Sequence, residues 1–276
     1  MPDSIYEVLW IFIIYAFIGW CAEVAFAALN RGVFVNRGFM NGPYCPIYGL
    51  GVLIVVKLLT PLQDNILILF LGSVLLTTVL EYIVGFLLEK IFGNRWWDYS
   101  DMPYNIRGYV CLKFSVMWGL GCMFIMDFIH PGIYKWIQWI PEKIGFVILV
   151  IFLSGFVADL CVTVNTVLKL NKKLQSLEKT AEAMRKLSDE IGEDIFEKMV
   201  NVADKKDEVE DFIAEKRLEV EEKKLELKSL TEEYERMLRQ KQFGFKRLTK
   251  AFPGMKSLKQ NDILQQYKKI LDEIRK

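Results

Sequence analysis

Long apolar runs fill the first 168 residues of the chain and are missing from the rest. Residues 1–168 hold 9 Lys and Arg and 11 Asp and Glu, which leaves 26 and 23 of these for residues 169–276. Hydrophobic residues make up 53% of the chain and charged residues 25%, so the two classes are segregated along the sequence. This pattern excludes a disordered protein, a disulfide scaffold, a collagen and a one-domain soluble enzyme. It predicts a membrane domain followed by a soluble tail.

Five stretches are apolar enough to be candidate membrane spans. The first begins without a basic segment and contains Glu23, which favours a span over a cleaved signal peptide. The second is short and contains Lys57, and the fourth is followed by His130-Pro131-Gly132, which predicts a turn. We therefore expect an all-α membrane protein with about five transmembrane helices and a cytoplasmic helical coiled-coil tail. The spans are predicted at about residues 5–29, 47–62, 66–92, 109–129 and 144–168.

The basic residues of the short loops predict the orientation of the chain. Loops 30–46 and 93–108 contain Arg31, Arg37, Arg95 and Arg107, whereas the segments on the other side contain few basic residues. Five spans place these loops and the tail on one side. We expect a multi-pass protein of the cell membrane with its N-terminus outside and its tail in the cytoplasm.

Three acidic residues within the spans are the first candidates for a functional site. Glu23, Glu81 and Asp159 lie in the cytoplasmic halves of spans one, three and five, and each belongs to a stripe of small or polar residues repeating every four positions. Ionisable residues inside a membrane are costly and are by default functional candidates. The alternative is that these acids only hold helices together or pair with the loop arginines.

The two loops contribute further pocket candidates. Residues 36–51 and 95–108 combine Gly and Pro turns with aromatic and polar side chains. Such loops can form an aromatic belt at the membrane interface, or they can be re-entrant and line a pocket. From the loops and their flanks we select Arg37, Tyr48, Trp97, Asp98, Tyr99, Asn105, Arg107, Ser115 and Trp118.

A metal site is not expected. The chain has a single His and five Cys, none of which form a C-x-x-C pair. We expect no cofactor, and the sequence does not identify which residues would be catalytic.

Several of these residues form motifs that resemble a known family. The motifs are Gly19-Trp20 with Glu23, Arg37-Gly38 with Gly42-Pro43 and Pro46-Ile47-Tyr48-Gly49, Glu81, Trp97-Asp98-Tyr99-Ser100 with Asn105 and Gly108, and Ser115 with Trp118-Gly119. Over roughly residues 5–165 the chain resembles the bacterial family named putative ABC-transporter type IV, the CmpB-like membrane permeases. The resemblance implies a permease-like component. Because the chain has no G-x-x-x-x-G-K-[ST] phosphate loop, an ATPase would be a separate subunit.

The tail shows a helical pattern with two arms. Apolar residues recur every three or four positions from Leu170 to Val202, and a second helical stretch covers about 208–242. The arms can fold into an antiparallel hairpin, with Phe212, Val220, Leu227 and Leu238 facing the first arm, or extend as a coiled coil that makes a homo-oligomer. We therefore expect a membrane domain at 1–168, a helical coiled coil or hairpin at 169–242, and a basic-aromatic segment with a terminal helix at 243–276.

The last part of the tail, residues 236–259, is basic, contains three Phe and lacks acidic residues. This composition favours contact with anionic membrane lipids. A solvated linker is the alternative. Nucleic acid is not expected as a partner, because no recognition fold is visible.

Three functions remain possible from the sequence. The first is a permease-like transport component with a polar, cytoplasm-facing site. The second is a membrane enzyme acting on lipid or phosphate headgroups, with Glu23 or Asp98 as general base and Arg37 or Arg107 binding phosphate. The third is a coiled-coil scaffold. The absence of a nucleophile–base pair disfavours the enzyme, and the sequence does not identify a substrate.

Overall fold

The structure, a computed structural model, describes residues 2, 4–204, 209–240 and 242–273, and the side chains of all of these except 197–204 and 209–216. Within these ranges the chain is helical almost throughout, which confirms the all-α prediction. In the described part of the chain, four strands of two residues each form two small antiparallel sheets: β1 (Asn94–Arg95) with β4 (Lys256–Ser257), and β2 (Asn105–Ile106) with β3 (Val110–Cys111). The helices are α1 (Ile5–Arg31), α2 (Pro46–Leu59), α3 (Ile66–Phe92), α4 (Leu112–Phe124), α5 (His130–Trp139), α6 (Glu142–Asp204), α7 (Val209–Arg239), α8 (Phe245–Ala251) and α9 (Asn261–Glu273).

Four helical stretches in the described ranges are long and apolar enough to cross a membrane: Ile5–Arg31, Ile66–Phe92, Leu112–Trp139 and Glu142–Phe196. They match four of the five predicted spans. The remaining one, Pro46–Leu62, is shorter. At roughly 1.5 Å per residue it is about 25 Å long, near the lower limit for crossing a hydrocarbon core of about 30 Å. The fifth crossing stays a prediction.

The predicted turn after the fourth span is wrong. The helix continues from α4 through a π-helical turn, Ile125–Ile129, into α5. Pro131 lies in the first turn of α5, where its missing N–H group costs little. The wide π turn before it accommodates the change in hydrogen bonding, so His130 and Gly132 lie inside the helix.

The apolar core of the membrane domain lies mainly between α1 and α2. Ile11 and Tyr15 of α1 and Val55 and Val56 of α2 are almost completely buried there. Conversely, α3 carries exposed apolar side chains every four residues along one face, at Leu67, Leu71, Leu75, Val79 and Ile83. An apolar stripe of this length on the outside of a helix is suited to lipid.

The helix ends place the polar loops. Asn65 caps α3 by accepting hydrogen bonds from the backbone N–H groups of Leu67 and Ile68, both at 3.1 Å. Gly93 ends α3 with φ of 66°, a left-handed conformation that favours glycine. The chain therefore leaves the helix directly into β1 and the loop that carries Trp97 to Asn105.

The structure forms two compact units, and the basic-aromatic stretch divides between them. Residues 243–259 belong to the unit of residues 1–168, whereas residues 260–276 belong to the unit of 169–242. Residues 243–259, which we call the return segment, pair through β4 with β1. Leu248, Ala251 and Met255 are completely buried, and Phe252 packs edge-on against Trp96 with 5.0 Å between ring centroids. Attraction to anionic lipid stays a prediction for its exposed lysines.

In the second unit, α7 runs antiparallel to the part of α6 that belongs to that unit. Lys173 Nζ donates to the Gln240 carbonyl at 2.6 Å, and Lys223 Nζ donates to Asp194 Oδ2 at 2.7 Å. Near the second of these hydrogen bonds Leu187, Ile191 and Val220 form a small core, with Leu227 packed against it. The side chains of Val202 and Phe212, which the sequence placed in the same seam, lie outside the described residues.

Candidate functional site

The first of three polar centres in the membrane domain surrounds Glu23 of α1. Tyr48 of α2 donates its hydroxyl to Glu23 Oε1 at 2.7 Å, and Arg37 Nε lies 3.3 Å from Glu23 Oε2 as an ion pair without hydrogen-bond geometry. Gly19, one turn before Glu23, allows this contact, because a Cβ there would overlap the Tyr48 ring. Gly19, which belongs to the predicted stripe of small residues, therefore leaves room for the Tyr48 ring beside the Glu23 carboxylate.

The second centre surrounds Glu81 of α3, which is 9% exposed. Tyr99, from the loop after α3, donates its hydroxyl to Glu81 Oε1 at 3.3 Å. Among the residues described, no group donates to Oε2, which is itself buried. Burial of an ionisable group without a basic partner is costly, so this carboxyl is the least satisfied of the predicted acids.

Helix α4 joins these two centres through two aromatic contacts. Trp118 meets the Tyr48 ring edge-on at 5.4 Å between centroids, and Phe114 stacks on the Tyr99 ring at 4.8 Å. Phe114 and Trp118 are four residues apart, so both contacts use one face of α4. We call the following residues the acid–aromatic cluster: Glu23, Tyr48, Glu81, Tyr99, Phe114 and Trp118.

The pKa of Tyr99 is affected by both acids. Burial raises the pKa of Tyr99 well above its ordinary value, and the charges of Glu81 and, more weakly, Glu23 raise it further. Glu23 is thus within electrostatic reach of the hydroxyl that bonds to Glu81. Ser115, next to Phe114 on α4, is also buried, at 4% exposed.

Asp159 of α6 forms the third centre, and its oxygens are occupied by the first loop. Asp159 Oδ1 accepts from the backbone N–H of Asn41 at 3.2 Å and from its Nδ2 at 2.9 Å, while Oδ2 accepts from the Gly42 N–H at 2.7 Å. Asp159 therefore anchors the first loop. This is a structural role, of the kind that the alternative interpretation assigns to the three acidic residues.

The return segment holds the same loop from the other direction. Arg247 donates through Nη1 to the Gly38 carbonyl at 2.9 Å and through Nη2 to the Phe39 carbonyl at 2.8 Å. Burial lowers the pKa of Arg247, and the charge of Asp159 opposes that effect. Asp159 and Arg247 thus balance each other in charge around the loop.

The second loop is tied by a four-residue chain of charges. Arg95 Nε donates to Glu89 Oε2 at 2.7 Å, its Nη1 lies 3.4 Å from Asp98 Oδ1, and Lys256 Nζ donates to Asp98 Oδ2 at 2.7 Å. Burial would raise the pKa of Asp98, but hydrogen bonds from Lys256 and Ser100 hold it well below its ordinary value. A carboxylate stabilised in this way is a poor general base.

The remaining predicted residues shape the second loop or lie outside the cluster. Trp97 donates Nε1 to the Tyr109 carbonyl at 2.8 Å, and Asn105 donates Nδ2 to the Ser100 and Met102 carbonyls at 3.1 and 2.8 Å. Arg107 is exposed and adopts φ of 53°. Among the residues that the structure describes, no hydrogen bond or ion pair is seen between Arg107 and the cluster.

The sequence did not single out several residues that the structure places in these centres. Asn41 lies in the Asn-Gly-Pro turn, and Phe114 lies one helical turn before Trp118, so spacing along α4 was a usable signal. Arg247 and Lys256 lie in a stretch whose composition favoured lipid, and nothing in that composition indicates a partner within the membrane domain. Over the described ranges, no group of three or more His, Cys, Asp or Glu side chains is arranged to hold a metal ion.

Comparison with models of protein families identifies a match. Residues 10–164 match the model of the family described as putative ABC-transporter type IV, in agreement with the resemblance carried by the motifs. The matched residues contain the acid–aromatic cluster. No solved structure matches the chain.

Proposed function

Because the chain belongs to the family described as putative ABC-transporter type IV, we propose that it is the permease-like component of a membrane transporter whose substrate path is lined by the acid–aromatic cluster. The family and the apolar helices fit a membrane transport component. The path itself is the new element of the proposal.

One observation carries this proposal: Glu81 is buried and one of its oxygens has no donor in the described part of the chain. A carboxylate used only to join helices would be expected to have both oxygens engaged, as Asp159 does. Water or a polar solute in a path beside Glu81 would supply the missing partner.

Labelling of single cysteines tests whether water reaches this path. Starting from a variant without the native cysteines, we expect Glu81→Cys to react with a charged, membrane-impermeant thiol reagent. Leu75→Cys, on the exposed face of the same helix at 63% exposure, is the control and should stay unlabelled in the membrane. If Glu81→Cys folds and resists the reagent as Leu75→Cys does, the proposed path is wrong.

We also propose that the N-terminus lies outside and the tail in the cytoplasm, as the loop arginines favour. This orientation requires Pro46–Leu62 to be a fifth crossing. Tags at the two termini, probed with a protease or antibody that does not cross the membrane, test this orientation. Tags on the same side would limit the crossings to an even number and reject this topology.

The ATPase partner is a further part of the proposal, because no phosphate-loop motif is present in the sequence. Copurification of the tagged full chain from its native membrane should recover an ATPase subunit. Recovery of a soluble partner without ATP-binding motifs would instead favour the scaffold hypothesis. The enzyme hypothesis has less support, since Arg37 and Lys256 already engage the carboxylates of Glu23 and Asp98.

A further inference from the structure

Four acidic residues near the two loops each have a basic residue within reach, in contrast to Glu81. Glu23 pairs with Arg37, Glu89 with Arg95, and Asp98 with Arg95 and Lys256. Asp159 lies within electrostatic reach of Arg247. In the parts of the chain that are described, no Lys or Arg pairs with Glu81, although it is the most buried of these acids.

Apart from the two acids, the acid–aromatic cluster consists of aromatic residues, one of which bonds directly to Glu81. Tyr99 and Phe114 are stacked within the cluster, and Tyr48 and Trp118 form the neighbouring pair. Aromatic faces attract cations through their quadrupole, most strongly for Trp, and a buried carboxylate adds a full negative charge. Rings combined with one free carboxylate are a known way to recognise an ammonium group.

From this combination we infer that the acid–aromatic cluster binds the ammonium group of an organic cation, with Glu81 as its counter-ion. The inference rests on the proposed transport function and names the substrate class for the same site. A metal ion fits poorly, because the cluster offers only two carboxylates, and one of them is already paired with Arg37. The tyrosine hydroxyls hold Glu23 and Glu81 in place when the cation is absent.

Binding of tetramethylammonium to the purified full chain tests the inference. Calorimetric titration in neutral detergent, with sodium chloride at equal ionic strength as reference, should give saturable binding to the wild-type protein. Glu81→Gln should weaken binding at least about tenfold, since it removes the charge and keeps the shape. Trp118→Leu should weaken it by roughly fivefold through loss of one ring.

Two further variants separate binding from folding. Glu89→Gln lies on the same helix, but its carboxylate is paired with Arg95 outside the cluster, so this matched control should bind like the wild type. Tyr99→Phe keeps the ring and removes the hydroxyl that competes with the cation for Glu81, so affinity for tetramethylammonium should rise; unchanged or lower affinity would contradict the role of Glu81 as counter-ion. This variant tests the carboxylate even if Glu81→Gln fails to fold.

The ammonium group can belong to a free solute or to a lipid headgroup. Titration in nanodiscs of phosphatidylglycerol, with and without phosphatidylcholine, distinguishes the two sources. Competition by phosphatidylcholine identifies a headgroup ligand, and unchanged binding identifies a solute; either result supports the ammonium site.

No saturable binding to the wild type, or equal loss in Glu81→Gln and Glu89→Gln, would overturn the inference. If Glu81 is protonated and therefore neutral, the wild type will show no saturable binding. Thiol labelling at position 81 separates this failure from that of the proposed function. A labelled cysteine without ammonium binding retains the path and rejects only the substrate class.

Discussion

Glu23 and Glu81 lie on different helices in similar settings, yet their surroundings differ in one respect. Each accepts a hydrogen bond from a tyrosine whose ring packs against an aromatic residue of α4. Glu23 also has Arg37 as an ion-pair partner, and its side chain is 22% exposed. Glu81 is less exposed and has no basic partner in the described chain.

This difference separates two uses of a buried acid. A carboxylate with both a hydroxyl donor and an arginine is satisfied by the fold, so its removal should disturb the local structure. A buried carboxylate with one oxygen that lacks a hydrogen-bond donor destabilises the fold. A ligand, a proton or water can offset this loss of stability. We therefore expect Glu23 to position the cluster and Glu81 to meet the ligand.

The largest expected effect is on transport. Glu81→Gln and Glu23→Gln should both abolish exchange of radiolabelled tetramethylammonium in proteoliposomes. Glu81→Gln should keep the wild-type unfolding temperature, whereas Glu23→Gln should lower it because Arg37 loses its partner. Size-exclusion chromatography and thermal unfolding check the fold. If both variants misassemble and neither has a separate transport defect, the acids only hold helices together.

The next effect is on the packing that brings Tyr48 to Glu23. Gly19→Ala places a Cβ inside the Tyr48 ring position and should destabilise the protein by about 1–3 kcal/mol. Gly155→Ala is the matched control, because a Cβ there meets no atom within 4 Å. Equal unfolding temperatures for the two variants would show that α1 and α2 are not closely packed at the cluster.

The sequence predicted the helices well and their polar contacts only partly. Apolar length located the spans near Glu23 and Glu81 because a membrane helix needs an unbroken apolar run. The turn predicted from His130-Pro131-Gly132 is wrong, because the residue types do not reveal the π turn that lets the helix continue. The spacing of the charged residues placed Glu23, Glu81 and Asp159 toward one end of their spans. It did not show which of these acids the loops would neutralise.

Those partners depend on contacts between residues far apart in the chain. Asn41 reaches Asp159 across 118 positions, and Arg247 reaches Gly38 across 209. Such pairs leave no local pattern, so one sequence cannot reveal them. The return segment shows the same limit, since its basic composition fits lipid and protein carbonyls equally.

A smaller effect should follow from releasing the return segment from the first loop. Arg247→Ala removes two hydrogen bonds to backbone carbonyls and should cost about 1–3 kcal/mol, with Arg247→Lys in between. Limited proteolysis of the full chain should then cut residues 243–259 faster. Lys246→Ala is the control, because Lys246 is exposed. Unchanged cleavage in Arg247→Ala would mean that these bonds do not hold the segment.

The smallest effect concerns Lys268, a partly buried lysine in the second unit. Burial lowers the pKa of Lys268 to about 8, whereas the pKa of a lysine in the unfolded chain is about 10.4. Between these values the unfolded chain binds the proton and the folded chain does not, so stability rises with pH. Below pH 8 both states are charged and the cost of burying the charge is complete. Lys268→Met should therefore raise the unfolding temperature of the full chain at pH 7, by an amount that shrinks toward pH 10.

Lys269→Met is the matched control, because Lys269 is the exposed neighbour of Lys268 and receives the same substitution. It should leave the unfolding temperature unchanged at both pH values. A gain of equal size in the two variants would attribute the effect to added apolar surface rather than to the buried charge. A gain for Lys268→Met that is as large at pH 10 as at pH 7 would have the same meaning, since at pH 10 the folded lysine is neutral and the unfolded lysine has begun to lose its proton.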